Sequence, residues 1–354
     1  MISQFLPVVE LTRGPIIESI HFGAIAVVDV NGNLLASYGD PGAITFLRSS
    51  AKPFQALPFI EMGGDQTFGL TEREIALMCS SHSGTDEHML VLQGMQKKIG
   101  VNENNLLCGI HTPTYQVTAR AMLLRGEEPT PNRHNCSGKH TGMLAHAVLR
   151  KLPIEDYINV NHPVQQTILK TFAEMCALPV EDVVLGTDGC SAPNFAVPMR
   201  SAALAYARLC DPGQLDSGRA EACRRIVHAM TANPDMVGGP GRFDTVLMEL
   251  AGDRLVAKSG AEGYQGIGVM PGALGPGSPA IGIVMKVSDG DLGGRARPCA
   301  AIEILHQLGV ISQGEIDTLA SASFGAQRLY NYRKLVVGEM HPCFELVKTN
   351  RAKI

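Results

Sequence analysis

Apolar residues fall into short strand-like runs at the two ends of this chain and into longer helical spacings through its middle. Residues Gly23 to Tyr38 read as two strands, AIAVVDV and LLASY, joined around Asn31-Gly32-Asn33. Asn-Gly between apolar runs is a strong hairpin signal, because both residues tolerate the left-handed backbone of a tight turn. After Gly39-Asp40-Pro41-Gly42, the run ITFLRSSAKPFQALPFIEM predicts a helix. Pro53 is accepted in a first turn, whose N–H groups have no intrahelical partner, so it places the helix start beside Ser49 and Ser50, near a positive dipole end. Thr71 and Glu74 form a capping box for a short helix ending near Cys79-Ser80-Ser81, and Thr85 caps a longer helix that stops at Gly100. Ser81-His82-Ser83-Gly84 is then an interhelix loop. Residues 153–177, 199–210 and 213–232 carry helical spacing, and VVLGTDGCSAPNFAVP reads as a strand running into a polar loop. Strands return from Arg254 as LVAKSG, IGVMPG and AIGIVMKVSDGD, followed by helices near 299–308 and 314–321 and a last strand, LVVGEM. The pattern predicts an α/β (α+β) chain with an antiparallel sheet flanked by helices and a helix-rich part. With no repeat, low-complexity tract or linker, residues 1–354 form one domain or two interleaved subdomains.

Composition narrows what such a fold serves. The 354 residues are 45% hydrophobic and 18% charged, enough to bury a sizeable core. Lys and Arg number 30 against 34 Asp and Glu, and no basic block is interleaved with aromatics, so the footprint of nucleic-acid binding is missing and a small ligand is expected. No apolar stretch approaches the ~20 residues of a membrane helix. The start, MISQFLPVVELTRG, has neither the basic head nor the apolar run of a signal peptide, which places the chain in the cytoplasm. Nine irregularly spaced cysteines then read as reduced thiols, some of them available to metal.

Two Ser/Lys elements carry the first chemical signal. Ser49-Ser50-Ala51-Lys52 is an S-x-x-K, and Lys258-Ser259-Gly260 is a K-S-G at the end of a short apolar run. A serine hydroxyl is a weak nucleophile until a base takes its proton, and three residues along a helix put both side chains on one face. A solvated helix face yields the same four-residue string, so its weight comes from context. Hairpin, S-x-x-K, then K-S-G on a late strand follows the order of the penicillin-recognising serine enzymes. Those enzymes carry a further serine between the two elements. No S-D-N occurs here, but Ser81 in SSHSG lies between them and is placed to face Lys258; the structural alternative is that Ser80, Ser81 and Ser83 cap the next helix. The densest polar stretch, Asn132 to Gly142 (NRHNCSGKHTG), is hard to explain as core, and Gly186-Thr187-Asp188-Gly189-Cys190-Ser191 follows a predicted strand, where site residues often sit. Cys136 and Cys190 with His134, His140 or Asp188 suit zinc by ligand type but lack paired C-x-x-C spacing. The other cysteines read as small buried hydrophobes. Residues 238–245 (GGPGRFDT) form a glycine-rich loop that is no P-loop; a turn stabilised by Arg242 and Asp244 fits it better than an anion cradle. There is no G-x-S-x-G and no H-E-x-x-H.

The segments RSSAKPFQ, SSHSGTDEH, NRHNCSGKHTGM, GTDGCSAPNF, NPDMVGGPGRFDT, AKSGAEG and KVSDGDLGGRARP, in this order, resemble the L-asparaginase II family of the rhizobial type, over nearly the whole chain. The resemblance implies a fold related to serine β-lactamases and glutaminases, a homodimer, and hydrolysis of L-asparagine to L-aspartate and ammonia through an acyl-enzyme. By the same resemblance Ser49 is the nucleophile and Lys52 its base, Ser81 and Lys258 form a second pair, and Arg48, His140 and Asp188 contact substrate. Arg48 suits the α-carboxylate and Asp188 the α-ammonium. The resemblance also implies zinc held by Cys136, Lys139 and Cys190, organising substrate rather than supplying a hydrolytic hydroxide; spacing alone would not name the lysine. A glutaminase or a β-lactam or peptide hydrolase on the same scaffold is the alternative among enzymes, since asparagine and glutamine differ by one methylene. A zinc-stabilised, non-catalytic amino-acid-binding protein is the alternative outside them.

Overall fold

A computed structural model describes residues 4–349, which leaves the first three residues of the amino-terminal stretch outside the described range. The chain forms two compact units that alternate along the sequence: unit 1 is Met1–Ser50, Val197–Asp211 and Arg254–Ile354, and unit 2 is Ala51–Ala196 and Pro212–Asp253.

Unit 1 is built on a nine-stranded sheet whose main path runs Gln327–Tyr330, Val336–Pro342, Leu6–Arg13, Ile16–Asp29, Ile281–Val287, Tyr264–Val269, Leu255–Gly260. Neighbours are antiparallel, and Leu34–Tyr38 pairs the second half of Ile16–Asp29 from Ile25↔Tyr38 to Val28↔Leu34. The expected hairpin is therefore present, but its first strand begins at Ile16. Residues 23–29 of that strand are buried on both faces and read as a continuous apolar run, whereas Ile16, Ile17, Ile20 and Phe22 are exposed and interspersed with Glu18 and His21. That mixture hides the first half, and its partner Leu6–Arg13, from a periodicity reading. The helices Met199–Cys210 and Ala296–Gln307 pack on the sheet. The first lies so close that a Cβ at Gly282 would sit 1.7 Å from the Ala203 carbonyl oxygen, so only glycine permits this packing.

Unit 2 is mostly helical. Its centre is Lys52–Glu61, in which every residue but Glu61 is buried, packed by Ser137–Leu149, Pro163–Met175 and Ser217–Ala232. Thr71 and Thr85 cap Glu72–Met78 and Asp86–Ile99 as expected, the second capping box using His88 at its third position. The helix expected over 153–177 spans only Pro163–Met175, with His162 as its cap, and the one expected from 213 starts at Ser217. The polar loop after Val184–Thr187 leads into a further strand, Pro193–Pro198, which pairs back onto it from Val184↔Ala196 to Thr187↔Pro193. The mixed α/β class, with an antiparallel sheet flanked by helices and a helix-rich part, is as expected. No helix among the described residues is long and apolar enough to cross a membrane.

Candidate active site

The 3-10 turn Arg48–Ala51 runs into Lys52–Glu61, so Lys52 opens the central helix of unit 2. Its side chain is 1% exposed, and its amine donates to the Ser80 carbonyl, to Ser81 Oγ at 3.1 Å and to the Asn135 carbonyl at 3.4 Å. No carboxylate pairs with it among the described residues. Two loops therefore hold this amine, 80–84 and 134–137. Ser81 is buried as well, with its N–H on the Val237 carbonyl at 2.9 Å. The serines of SSHSG do not cap the next helix, as the structural alternative supposed. Thr85 does that, Ser80 Oγ returns to the Leu77 carbonyl (2.7 Å), and Ser83 Oγ donates to the Gly238 carbonyl (2.7 Å).

The same unit gathers Cys136, Lys139, His140, Asp188 and Cys190. Lys139 Nζ lies 2.9 Å from Cys190 Sγ, and Cys190 Sγ lies 3.9 Å from Asp188 Oδ2. Asp188 and Cys190 sit in the tight turn between Val184–Thr187 and Pro193–Pro198, closed by Asp188 N–H on the Ala192 carbonyl and by a left-handed Ser191. A hydrogen bond from Cys190, helped by the charges of Lys52 and Lys139, overcomes burial and holds the Cys136 thiol well below its ordinary value, while the same bond and burial raise Cys190. Burial alone would lower the Lys139 amine; Cys190, Cys136 and Asp188 outweigh it and hold the amine above its usual range. Tyr157 Oη accepts from Leu107 N–H (2.9 Å) and lies 2.7 Å from His140 Nδ1, so it donates to that nitrogen and Nε2 carries the ring proton. Nε2 has no nitrogen or oxygen partner among the described residues and interacts with the Cys190 sulfur. Burial pushes His140 down to about 4, so the ring is neutral.

Among the described residues no group of three or more His, Cys, Asp and Glu side chains is arranged to hold a metal. The cluster offers instead two thiols and an amine in contact, with the His140 imidazole against the Cys190 sulfur. That donor set fits zinc in kind on one condition: Lys139 must surrender the proton that its thiol neighbours now favour.

The polar run from Asn132 to Gly142 corrects the expectation that it could not be core. Asn132, His134, Cys136 and every residue from Ser137 to Ala147 are buried. The run starts the helix Ser137–Leu149, which approaches Glu72–Met78 so closely that a Cβ at Gly138 would lie 2.2 Å from the Leu77 carbonyl oxygen. Several of its polar groups are satisfied within the run, Ser137 Oγ on the Asn132 carbonyl and Cys136 N–H on His134 Nδ1, and others by Gln96, Glu103, Tyr157 and Cys190, which offsets much of the cost of burying them. In the 238–245 loop Arg242 N–H closes a turn on the Gly239 carbonyl at 3.2 Å, Thr245 Oγ1 accepts from Gly239 N–H at 3.1 Å and donates to the Pro234 carbonyl at 3.0 Å, and the Val237 and Gly238 carbonyls receive Ser81 and Ser83.

Unit 1 carries Arg48, Ser49 and Lys258. Arg48 has a left-handed backbone (φ 52°), strained for a residue with a Cβ, and its guanidinium lies 4.0 Å from Glu262. Ser49 is half-buried; Ser50 is fully buried, its hydroxyl donating to the Lys258 carbonyl at 2.6 Å and its own carbonyl accepting from Tyr206 Oη at 2.8 Å. Ser50 is thus committed to the strand that bears Lys258. Lys258 is 0% exposed and its amine donates to the Ser259 carbonyl at 2.8 Å. Within unit 2 Ser81 Oγ receives the Lys52 amine. Sequence reading missed Tyr157 and Tyr206, neither of which carries a local signal for its partner.

The sequence profile described as L-asparaginase II matches residues 9–342. No functionally described protein matches the chain at a significant level. Solved structures with some likeness include a Bacillus subtilis glutaminase in covalent complex with 5-oxo-L-norleucine (12% identity, 81% of this chain and 87% of that chain, TM-score 0.37). Another is a probable glutaminase from Bacillus subtilis complexed with 6-diazo-5-oxo-L-norleucine (13%, 81% and 84%, TM-score 0.39). A third is a Bacillus glutaminase in 4.3 M NaCl (13%, 81% and 91%, TM-score 0.38). A likeness of this size carries no inference about activity.

Proposed function

This chain belongs to the L-asparaginase II family, and from that premise we propose that it is an amidohydrolase converting L-asparagine to L-aspartate and ammonia. The observation that carries the reading is Lys52: a buried lysine three residues after Ser49, its amine bonded to a serine hydroxyl and two carbonyls and to no carboxylate among the described residues. A buried amine bonded to a serine hydroxyl and carbonyls, with no carboxylate to pin its proton, is the environment in which a lysine can exchange protons with a hydroxyl.

In this reading Ser49 Oγ attacks the side-chain amide carbon while Lys52 takes its proton, and the C–N bond breaks as ammonia leaves with a proton returned to it. Ser81 and Lys258 share in that return, and water then cleaves the aspartyl ester. Arg48 takes the substrate α-carboxylate, Asp188 the α-ammonium, and His140, neutral with a proton on Nε2, donates to an oxygen of the substrate. Zinc, when bound by Cys136, Lys139 and Cys190, supplies a fixed positive centre that holds this wall of the site in shape. The reading includes a homodimer, which sedimentation would register as twice the 37.8 kDa chain mass.

The test is ammonia release from L-asparagine and L-glutamine, with Ser49→Ala and Lys52→Ala in parallel. Release from asparagine that falls at least ~1,000-fold in both variants is expected. Full activity in Ser49→Ala would remove it as the nucleophile, and release from glutamine alone would make the protein a glutaminase.

A further inference from the structure

One buried pair beside Lys52 has the look of a second nucleophile and base. His82 Nε2 and Ser137 Oγ are 2.8 Å apart, and both residues are 0% exposed. The hydrogen-bond directions exclude that role. Gly84 N–H donates to His82 Nδ1 (3.1 Å), so a neutral ring carries its proton on Nε2 and gives it to Ser137. The Ser137 hydroxyl in turn donates to the Asn132 carbonyl (2.8 Å), and Asn132 Oδ1 accepts from Gln96 (2.7 Å). Protons point from histidine to serine, opposite to the polarity of a base removing a serine proton. Burial first, then His88 and Lys52, hold His82 well below its ordinary value, in keeping with the neutral ring.

What this chain of bonds joins is informative. His82 belongs to the loop that supplies the Ser80 carbonyl and Ser81 Oγ, and Ser137 follows the loop that supplies the Asn135 carbonyl. These are the three acceptors of the Lys52 amine. The outer side of the 80–84 loop is fixed separately, by Ser81 N–H on Val237 and Ser83 Oγ on Gly238. Gly239 is close enough there that a Cβ would lie 2.6 Å from Ser83 Oγ. On the inner side, His82 is the side chain of this loop that reaches across to Ser137.

We propose that His82 is a positioning residue: its hydrogen bond to Ser137 sets the spacing of the two loops and so fixes the three acceptors that hold the Lys52 amine. This rests on the reading of Lys52 as the base and deepens it. Three variants test it. Ser137→Ala and His82→Asn both remove the His82–Ser137 bond and leave the Arg133 guanidinium on the Gly84 carbonyl (2.7 Å), Asn keeping an acceptor for Gly84 N–H, while His82→Gln keeps a donor that reaches towards Ser137. The first readout needs no activity: the rate at which Lys52 is reductively methylated in the folded protein, followed by peptide mass spectrometry. It should rise ~10-fold in Ser137→Ala and His82→Asn. In the same two variants kcat should fall ~10- to 100-fold with KM nearly unchanged, and the limb of the kcat/KM pH profile that reports the base should move. His82→Gln should recover most of each change. Wild-type methylation and an unmoved limb in Ser137→Ala and His82→Asn would overturn the proposal, even if their melting temperatures drop, and Ser137→Ala alone decides if His82→Asn does not fold. Faster Lys52 methylation together with full activity in Lys52→Ala would leave the positioning role standing and refute the catalytic reading beneath it.

Discussion

Acid should weaken this protein through a histidine that serves as a helix cap. His88 occupies the third position of Asp86–Ile99, where its Nδ1 lies 2.5 Å from Thr85 Oγ1 and accepts from Thr85 N–H (3.3 Å), while Nε2 donates to the Asp235 carbonyl at 3.0 Å. Glutamate or glutamine fills this place in an ordinary capping box. Burial pushes His88 down to about 4, opposed by the Asp235 carbonyl and carboxylate and assisted by Arg73. A histidine depressed in the folded state contributes stability that is full above the unfolded value near 6.5 and drains away as pH falls towards 4, because the unfolded chain takes up the proton first. With those two values, His88 alone costs about 2 kcal/mol between pH 7 and pH 4.5, and about 3 kcal/mol once pH is well below 4. His88→Gln keeps an acceptor for Thr85 N–H and does not titrate. Urea unfolding followed by circular dichroism, the chain having no tryptophan, should show wild type losing about 2 kcal/mol more than His88→Gln between pH 7 and pH 4.5. Other buried histidines lower both proteins alike. Equal losses would refute the reasoning, since they would mean that His88 carries no depressed titration.

Gly282→Ala should lower unfolding stability by about 3 kcal/mol or more, read as a fall in melting temperature, because its methyl would meet the Ala203 carbonyl at 1.7 Å. Tyr206→Phe leaves the buried Ser50 carbonyl without its 2.8 Å donor and should cost about 1 to 2 kcal/mol in urea unfolding. Cys136→Ser should reduce zinc retained after dialysis, measured by atomic emission, at least ~10-fold relative to wild type; equal retention would place the metal elsewhere. Asp188→Ala should raise the KM for asparagine ~10-fold or more without unfolding the protein, and an unchanged KM would remove Asp188 from the substrate site.

Much of the local order was legible because it rests on signals contained in a few adjacent residues. Thr71 with Glu74, Thr85, and the Asn31-Gly32-Asn33 turn are read correctly since cap and turn chemistry acts over three or four positions. The strand Leu6–Arg13 and the first half of Ile16–Asp29 were not, because their exposed isoleucines and phenylalanine break the alternation that identifies a half-buried strand. Of the thiol and amine cluster, Cys136, Cys190, His140 and Asp188 stood out by ligand type, whereas Lys139 was named only through the family's motifs. That they touch follows from the hairpin turn at Asp188–Ala192 and from the close approach at Gly138, which spacing cannot reveal. The partners of Lys52 were illegible for a different reason: two of its three acceptors are main-chain carbonyls, which every sequence possesses at every position. The glycine-rich run at 238–241 was visible as a loop, but what it grips is a serine loop more than a hundred residues earlier.

The interleaving of the two units also dictates an order of assembly on the ribosome. Every residue of the helical unit, with Lys52, Ser81 and the cysteine cluster, has been synthesised by Asp253, so this half can condense while the rest of the chain is still emerging. The sheet unit must wait. Its first strand, Leu6–Arg13, pairs on one side with Val336–Pro342, synthesised much later, and the next strand, Ile16–Asp29, pairs with the equally late Ile281–Val287. A ribosome stalled anywhere between Asp253 and Val336 therefore exposes a long, partly apolar amino-terminal strand lacking its partner, and the nascent protein spends this interval in need of chaperone cover.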